Sequence, residues 1–323
     1  MALPSEPRPP EPATIATWTR NVFNTGLAFG SIYRAVLRLP PGISHAMGHT
    51  GAWIAHRLMR ETTRALIDNF RGAFPELDER TLDALALQTY RSYAHDAVDF
   101  FRAAPLPPER CERLFETVSD YHDLFSGLLA RGRGVILITG HFGNWEMGTV
   151  LMRALQLPLT IVAMREASEE INRLRHEFRR KFGADTLEVR QSIDTALQIR
   201  RRLGENRIVA MLMDRHIGRD RIPVDFFGRR AFFLKTPPLL AWMTGAPLLP
   251  CAIYRVANGR FAVRPGEPII ISRELDREHA VQAGAQAFAT QLEKLIREHP
   301  YYWYQFYPYW QSQQDDAAVT PAA

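Results

Sequence analysis

The chain has 323 residues, 46% of them hydrophobic and 23% charged, a balance that excludes a disordered or collagen-like protein and allows a sizeable core. The formal net charge is +5, carried almost wholly by arginine, since lysine occurs only at Lys181, Lys235 and Lys294. Arginine forks onto carboxylate and phosphate, so an anionic partner is implied, without a choice among nucleic acid, an acidic membrane surface and a phosphorylated substrate. Cys111 and Cys251 show neither ligand spacing nor a disulfide framework, which argues against a stapled secreted domain.

Residues 1–15 are proline-rich and read as disordered rather than as a secretory leader. Val22 to Leu39 is mostly apolar but interrupted by Arg34 and Arg38. It suits either a helix lying in a membrane interface, its arginines reaching headgroups, or an ordinary amphipathic core helix. Apolar spacing of three and four predicts helices over 43–72 and 80–104, with a break at Phe74-Pro75-Glu76 and a start at Asp78 with Thr81. His45, His49 and His56 lie in the first of these, but no Cys, Asp or Glu joins them at ligand spacing. A further helix, Tyr121 to Ala130, ends at Gly132.

From there short β-branched runs alternate with helical patterns. The predicted strands are Val135–Thr139, Leu159–Met164, Leu187–Arg190, Ile208–Asp214, Leu248–Tyr254, Phe261–Arg264 and Pro268–Ile271. The predicted helices are Met147–Leu155, Ala167–Phe182, Ser192–Leu203, Pro237–Met243 and Arg277–Glu298, with Thr236 as a capping hydroxyl before Pro237-Pro238. Alternation of this kind predicts an α/β fold with a mostly parallel central sheet and helices on both faces, preceded by an N-terminal helical region. The expected division is 16–130 for a membrane-associating helical region, 131–311 for the α/β core and 312–323 for a disordered tail.

In such sheets, functional groups gather outside the carboxyl ends of the strands. His141 stands just past the first strand and Glu146 five residues on, a pairing in which imidazole takes a proton and a carboxylate holds its tautomer. Arg165 ends the second strand, where it can meet an anionic substrate group. Asp214 ends a later one, where it can bind the acceptor or orient another side chain. The stretch Asp225 to Arg230 leads as a loop through Phe232 and Phe233, and its paired aromatics beside Gly228 and arginines suit an acyl chain with an anionic head. No P-loop, Gly-x-Gly-x-x-Gly, Gly-x-Ser-x-Gly or metal-ligand cluster is present.

Taken together, several ordered segments resemble the bacterial lipid A biosynthesis (lauroyl/myristoyl) acyltransferase family, within the His-x4-Asp/Glu glycerolipid acyltransferases. They are Gly140-His141-Phe142-Gly143-Asn144-Trp145-Glu146, Asn69-Phe70-Arg71 with Phe74-Pro75-Glu76, Met164-Arg165 with Asn172, Asp214, Phe226-Phe227-Gly228, Ala246-Pro247-Leu248-Leu249-Pro250 with Arg255, and Arg297-Glu298-His299-Pro300 with Trp303. The resemblance implies an O-acyltransferase at the cytoplasmic face of a bacterial inner membrane, peripheral or singly anchored. Its donor would be a fatty acyl thioester on acyl carrier protein or coenzyme A, and its acceptor a glycolipid or lysophospholipid such as a lipid A precursor. It implies no cofactor or catalytic metal, and a membrane surface rather than nucleic acid as partner. By the same resemblance His141 is the general base and Glu146 orients it. Asn144, Arg165, Asp214, Phe226, Phe227, Gly228 and Arg229 are the expected substrate contacts. The alternatives are a non-catalytic protein binding anionic lipid, and a lipid or thioester hydrolase.

Overall fold

The computed structural model describes residues 26–165, 168–189, 193–257 and 259–315. Residues 1–15, and the tail from 316 on, lie outside them.

Four helices open the described chain: α1 (Gly26–Arg38), α2 (Pro41–Leu58), α3 (Arg60–Ala73) and α4 (Glu79–Ala103). The single helix expected over 43–72 is broken at Met59, whose ψ of 60° leaves the helical region. Asp78 caps α4 by accepting from the Thr81 N–H, as the sequence predicts. In α1, Val36 is buried against Val98 and Phe101 of α4, while Ile32 and Leu37 stay exposed. A short helix, α5 (Pro108–Cys111), and then α6 (Ser119–Leu129) lead into the sheet.

The sheet comprises β1 (Val135–Thr139), β2 (Leu159–Ala163), β3 (Asp185–Glu188), β4 (Ile208–Leu212), β7 (Leu248–Arg255) and β8 (Phe261–Pro265), in the order β3-β2-β4-β1-β7-β8. All pairings are parallel except β7 with β8. The crossover helices are α7 (Met147–Ala154), α8 (Glu169–Lys181), α9 (Ile193–Gly204) and α10 (Thr236–Thr244), and α11 (Arg277–Glu298) follows the last strand. Both faces are covered, and the strands show it residue by residue. Ile136, Ile138, Val209 and Leu248 pack with Leu203 of α9, Leu240 of α10 and Phe288 of α11. Val135, Ile208 and Leu249 pack with Phe125 of α6, Val150 of α7 and Phe178 of α8. Strands buried on two sides need apolar residues at every position, which is why these runs read as continuous rather than alternating.

Several further expectations need correction. Pro268–Ile271 is not a strand: it meets the sheet only at a Leu248–Ile269 bridge, and Pro268 has no N–H to extend a ladder. The third strand begins earlier than predicted, at Asp185, in register with Thr160. The cap of α10 is the Asp220 carboxylate, which accepts from the Lys235 and Thr236 N–H groups, not the Thr236 hydroxyl. The stretch expected as a loop around Asp225 is a two-stranded hairpin, β5 (Ile222–Phe226) and β6 (Arg229–Phe233). Phe227 (φ 56°) and Gly228 (φ 67°) form its turn, and positive φ at both positions matches the twist of tight hairpins. A last helix, α12 (Tyr309–Asp315), includes residues 312–315 of the segment expected as a disordered tail.

Candidate active site

Strands β1 and β4 are central neighbours, and both run out at the same edge, Thr139 opposite Leu212. The chain leaving β1 carries His141 and the chain leaving β4 carries Asp214. Gly140 permits the approach: a Cβ there would lie 2.9 Å from Leu292 and 3.3 Å from Asp214 Oδ2. Gly143 turns the loop with φ 58°, where a Cβ would strike the Ile253 carbonyl oxygen at 2.3 Å.

His141 Nδ1 lies 2.7 Å from Asp214 Oδ1, and the His141 backbone N–H donates to Oδ2 at 2.9 Å. Gln305 Nε2 adds a third bond, to Oδ2 at 2.8 Å. Asp214 is fully buried. Burial pushes its carboxyl up, but His141 and Arg215 outweigh that and hold it below the usual range. An ionised carboxylate only accepts, so the Nδ1 proton belongs to the ring and Nε2 carries the lone pair. Nε2 has no hydrogen-bond partner among the described residues, and the side chain keeps 19% exposure. Burial and then the Arg215 charge, reinforced by Arg175, lower the ring below its ordinary value of 6.5 against the pull of Asp214. The imidazole is therefore neutral at pH 7, the state a base requires. Trp145 packs edge-on to it at 5.5 Å.

Glu146 does not hold His141. It is buried on the other side of the loop, where Arg179 of α8 grips both oxygens, Nη2 at 2.6 Å and Nε at 3.2 Å, with Arg175 at 3.6 Å. Burial pushes this carboxyl up and the two arginines, Arg179 first, bring it below its ordinary value. An imidazole cannot displace a bidentate guanidinium from a buried carboxylate, and the carboxylate in contact with the His141 ring is Asp214.

The other predicted contacts scatter. Asn144 is buried, its amide donating to the Asp96 carbonyl at 3.1 Å and so tying the loop to α4. Arg165 is exposed and paired with Glu169; the cations acting on His141 are Arg215 and Arg175. Phe226 and Phe227 are enclosed by Phe74, Trp303 and Trp310 in an aromatic core, Gly228 serves the hairpin turn, and Arg229 stacks on Trp310 at 4.9 Å. His45 and His56 pair with Asp99 and Asp83, and no group of three metal-ligating side chains occurs among the described residues.

Sequence reasoning missed Arg175, Arg179 and Gln305. The i, i+4 spacing of the two arginines marks one face of α8, but nothing local says that this face turns to Glu146. The C-terminal segment wraps the loop: Tyr304 N–H donates to the His141 carbonyl at 2.7 Å, and Gly143 N–H to the Tyr302 carbonyl at 2.9 Å.

A neutral histidine backed by a buried carboxylate stands at the ends of adjacent parallel strands, with Nε2 left without a partner among the described residues, an arrangement suited to accepting a proton. Comparison with known proteins supplies the family. The profile of the bacterial lipid A biosynthesis acyltransferases matches residues 20–312, and the chain belongs to that family; it is an acyltransferase. It is 27% identical over 314 residues to a phosphatidylinositol mannoside acyltransferase of Mycobacterium tuberculosis, covering 96% of this chain and 93% of the relative. The enzyme of the same description from Mycolicibacterium smegmatis is 28% identical over 289 residues, 88% of this chain and 91% of the relative.

Proposed function

We propose that the protein transfers a fatty acyl group from a thioester, on acyl carrier protein or coenzyme A, to a hydroxyl of a glycolipid at a membrane surface. The observation that carries the reading is the His141–Asp214 pair with Nε2 directed away from it. In this reading Nε2 removes the proton of the acceptor hydroxyl as its oxygen attacks the thioester carbonyl, and Asp214 stabilises the resulting imidazolium. The tetrahedral intermediate collapses to the ester and expels the thiolate, which recovers the proton. The Trp145 and Glu146 N–H groups, without acceptors among the described residues, are the donors suited to the oxyanion. The N–H groups of Met147, Gly148 and Thr149 are already engaged by carbonyls of the preceding turn.

The names of the mycobacterial relatives favour a glycolipid acceptor, with a lipid A precursor or a lysophospholipid as competing acceptors in the same assay. Membrane docking is supported by α2, whose outer side exposes Ile43, Met47, Trp53, Ile54 and Leu58. Residues 12–60 contain no Asp or Glu, while Arg34, Arg38, Arg57 and Arg60 supply positive charge. Apolar side chains rimmed by arginine suit an anionic lipid surface. No described helix is long and apolar enough to cross a membrane.

The test is release of thiol from a purified acyl thioester with and without a mannosylated glycolipid. Release that requires the acceptor, and that disappears in His141→Ala, supports the proposal. Equal release without acceptor means hydrolysis and defeats it. Flotation with anionic vesicles, lost in Ile43→Glu/Ile54→Glu, tests the docking face.

A further inference from the structure

We infer that Gln305 is a positioning residue for acyl transfer, holding the Asp214 carboxylate in the orientation that serves His141, with Arg215 fixing which way its amide faces. The inference rests on the reading of His141 as the base. Gln305 is fully buried. Its Oε1 accepts from Arg215 Nε at 2.9 Å, and its Nε2 donates to Asp214 Oδ2 at 2.8 Å. A guanidinium has only donors, so the amide oxygen must face Arg215 and the NH2 must face Asp214. Arg215 is itself placed by the Tyr304 carbonyl at 2.8 Å and by the ring of Tyr307 at 4.8 Å. The result is a chain of contacts, Arg215 to Gln305 to Asp214 to His141, passing through the C-terminal segment on its way into the site.

The choice of an amide has a physical reason. Asp214 must stay ionised and fixed in plane while positive charge develops on the imidazole. With Oδ2 held by Gln305 and by the His141 N–H, Oδ1 is left directed at Nδ1. A guanidinium placed directly on Asp214 would compete with the imidazolium for its charge. Gln305 passes on the orientation without the charge. An apolar side chain would leave Oδ2 with one donor fewer, and a carboxylate would confront it with lone pairs unless protonated. The backbone of Gln305 is secured separately, its carbonyl accepting from Asn69 Nδ2 at 2.9 Å, so a side-chain substitution tests the relay rather than the segment.

The experiment measures acceptor-dependent thiol release, kcat and acceptor KM, across about pH 5 to 9 for wild type, Gln305→Leu, Gln305→Glu and His141→Ala. Gln305→Leu is expected to lower kcat about ten- to a hundredfold, the scale of one lost hydrogen bond to a charged group, with acceptor KM little changed and the melting temperature lowered because Asp214 Oδ2 and Arg215 Nε each lose a partner. Gln305→Glu donates to Asp214 only when protonated. Its activity is therefore expected to approach wild type on the acid side and to fall as pH rises, adding a descending limb that wild type and Gln305→Leu lack. A purely structural role moves the melting temperature and creates no such limb. Gln305→Leu with wild-type kcat, or Gln305→Glu with a profile parallel to that of Gln305→Leu, overturns the inference while an inactive His141→Ala leaves the base intact. Near-normal turnover in His141→Ala overturns the base itself.

Discussion

Asp214 and Glu146 are both carboxylates buried beside the loop that leaves β1, both lie below their ordinary pKa, and their partners differ in kind. Asp214 faces a histidine, which can gain and lose a proton. Glu146 faces Arg179, which cannot, and so ties the start of α7 to α8. One side of the loop can answer a change of charge, and the other can only hold still. The comparison teaches that closeness in sequence to a histidine does not select its partner: the carboxylate five residues away is a brace held by Arg179, and the one past the end of the neighbouring strand makes the contact to the ring.

The largest way to break this contrast is on the Asp214 side. Asp214→Asn is expected to reduce transfer about 10²–10⁴-fold, the range for a positioned base that loses its support. The pH dependence sharpens the point. A lowered His141 pKa leaves the ring neutral at pH 7, so wild-type activity holds at neutrality and falls as pH drops through a value below 6.5. Removing the Asp214 charge removes the main influence raising that pKa, so the acid limb of kcat/KM is expected to move further down. A limb that stays in place would separate Asp214 from the ring.

On the other side, Arg179→Ala removes the bidentate contact of a buried carboxylate and leaves it Arg175 at 3.6 Å, and denaturant unfolding is expected to record a loss of up to about 3–5 kcal/mol. The acid limb of the surviving activity is expected to stay where it is. The double variant Arg179→Leu/Glu146→Leu is expected to recover much of that stability, because breaking one half of a buried pair is what costs most. If Arg179→Ala displaces the limb as Asp214→Asn does, the two sides of the loop are not distinct.

A smaller effect belongs to Asp96 of α4. Burial, opposed by a hydrogen bond from the Tyr304 hydroxyl at 2.6 Å, pushes its carboxyl up to about 8. The folded protein keeps this proton while the unfolded chain releases it near 3.8, so stability falls as pH rises from the unfolded value through the folded one. Asp96→Asn is expected to flatten that decline between about pH 4 and 8 in urea unfolding. The smallest effect is expected from Arg165→Ala, an exposed pair with Glu169 contributing about 0–1 kcal/mol. A large rise in acceptor KM in this variant would restore Arg165 as a substrate contact.

Much of the architecture was legible because it is local. Continuous β-branched runs announce doubly buried strands, and His141 and Asp214 were both readable as residues at strand ends. The β5–β6 hairpin was legible in principle: Ile222, Val224 and Phe226 alternate inward, and Gly228 marks the turn. Pro223 and the aromatic run conceal it, since they look equally like a loop packed on a core. The role of Phe226 and Phe227 was not legible, because an aromatic pair that binds a chain and one that fills a core have the same composition.

The sequence by itself determined the alternating α/β pattern, the placement of His141 and Asp214 at strand ends, the arginine-rich and carboxylate-free N-terminal stretch, and the ordered motifs of the family. Each is set by spacing, side-chain chemistry or burial within a short window. The tertiary structure alone decided which carboxylate serves His141. Strand order put β4 beside β1, bringing Asp214 across 73 positions, while the face that α8 turns inward captured Glu146. It also decided that Gln305 closes the relay. Those contacts depend on how elements pack, and packing is fixed by the sum of many buried side chains rather than by the residues that do the chemistry.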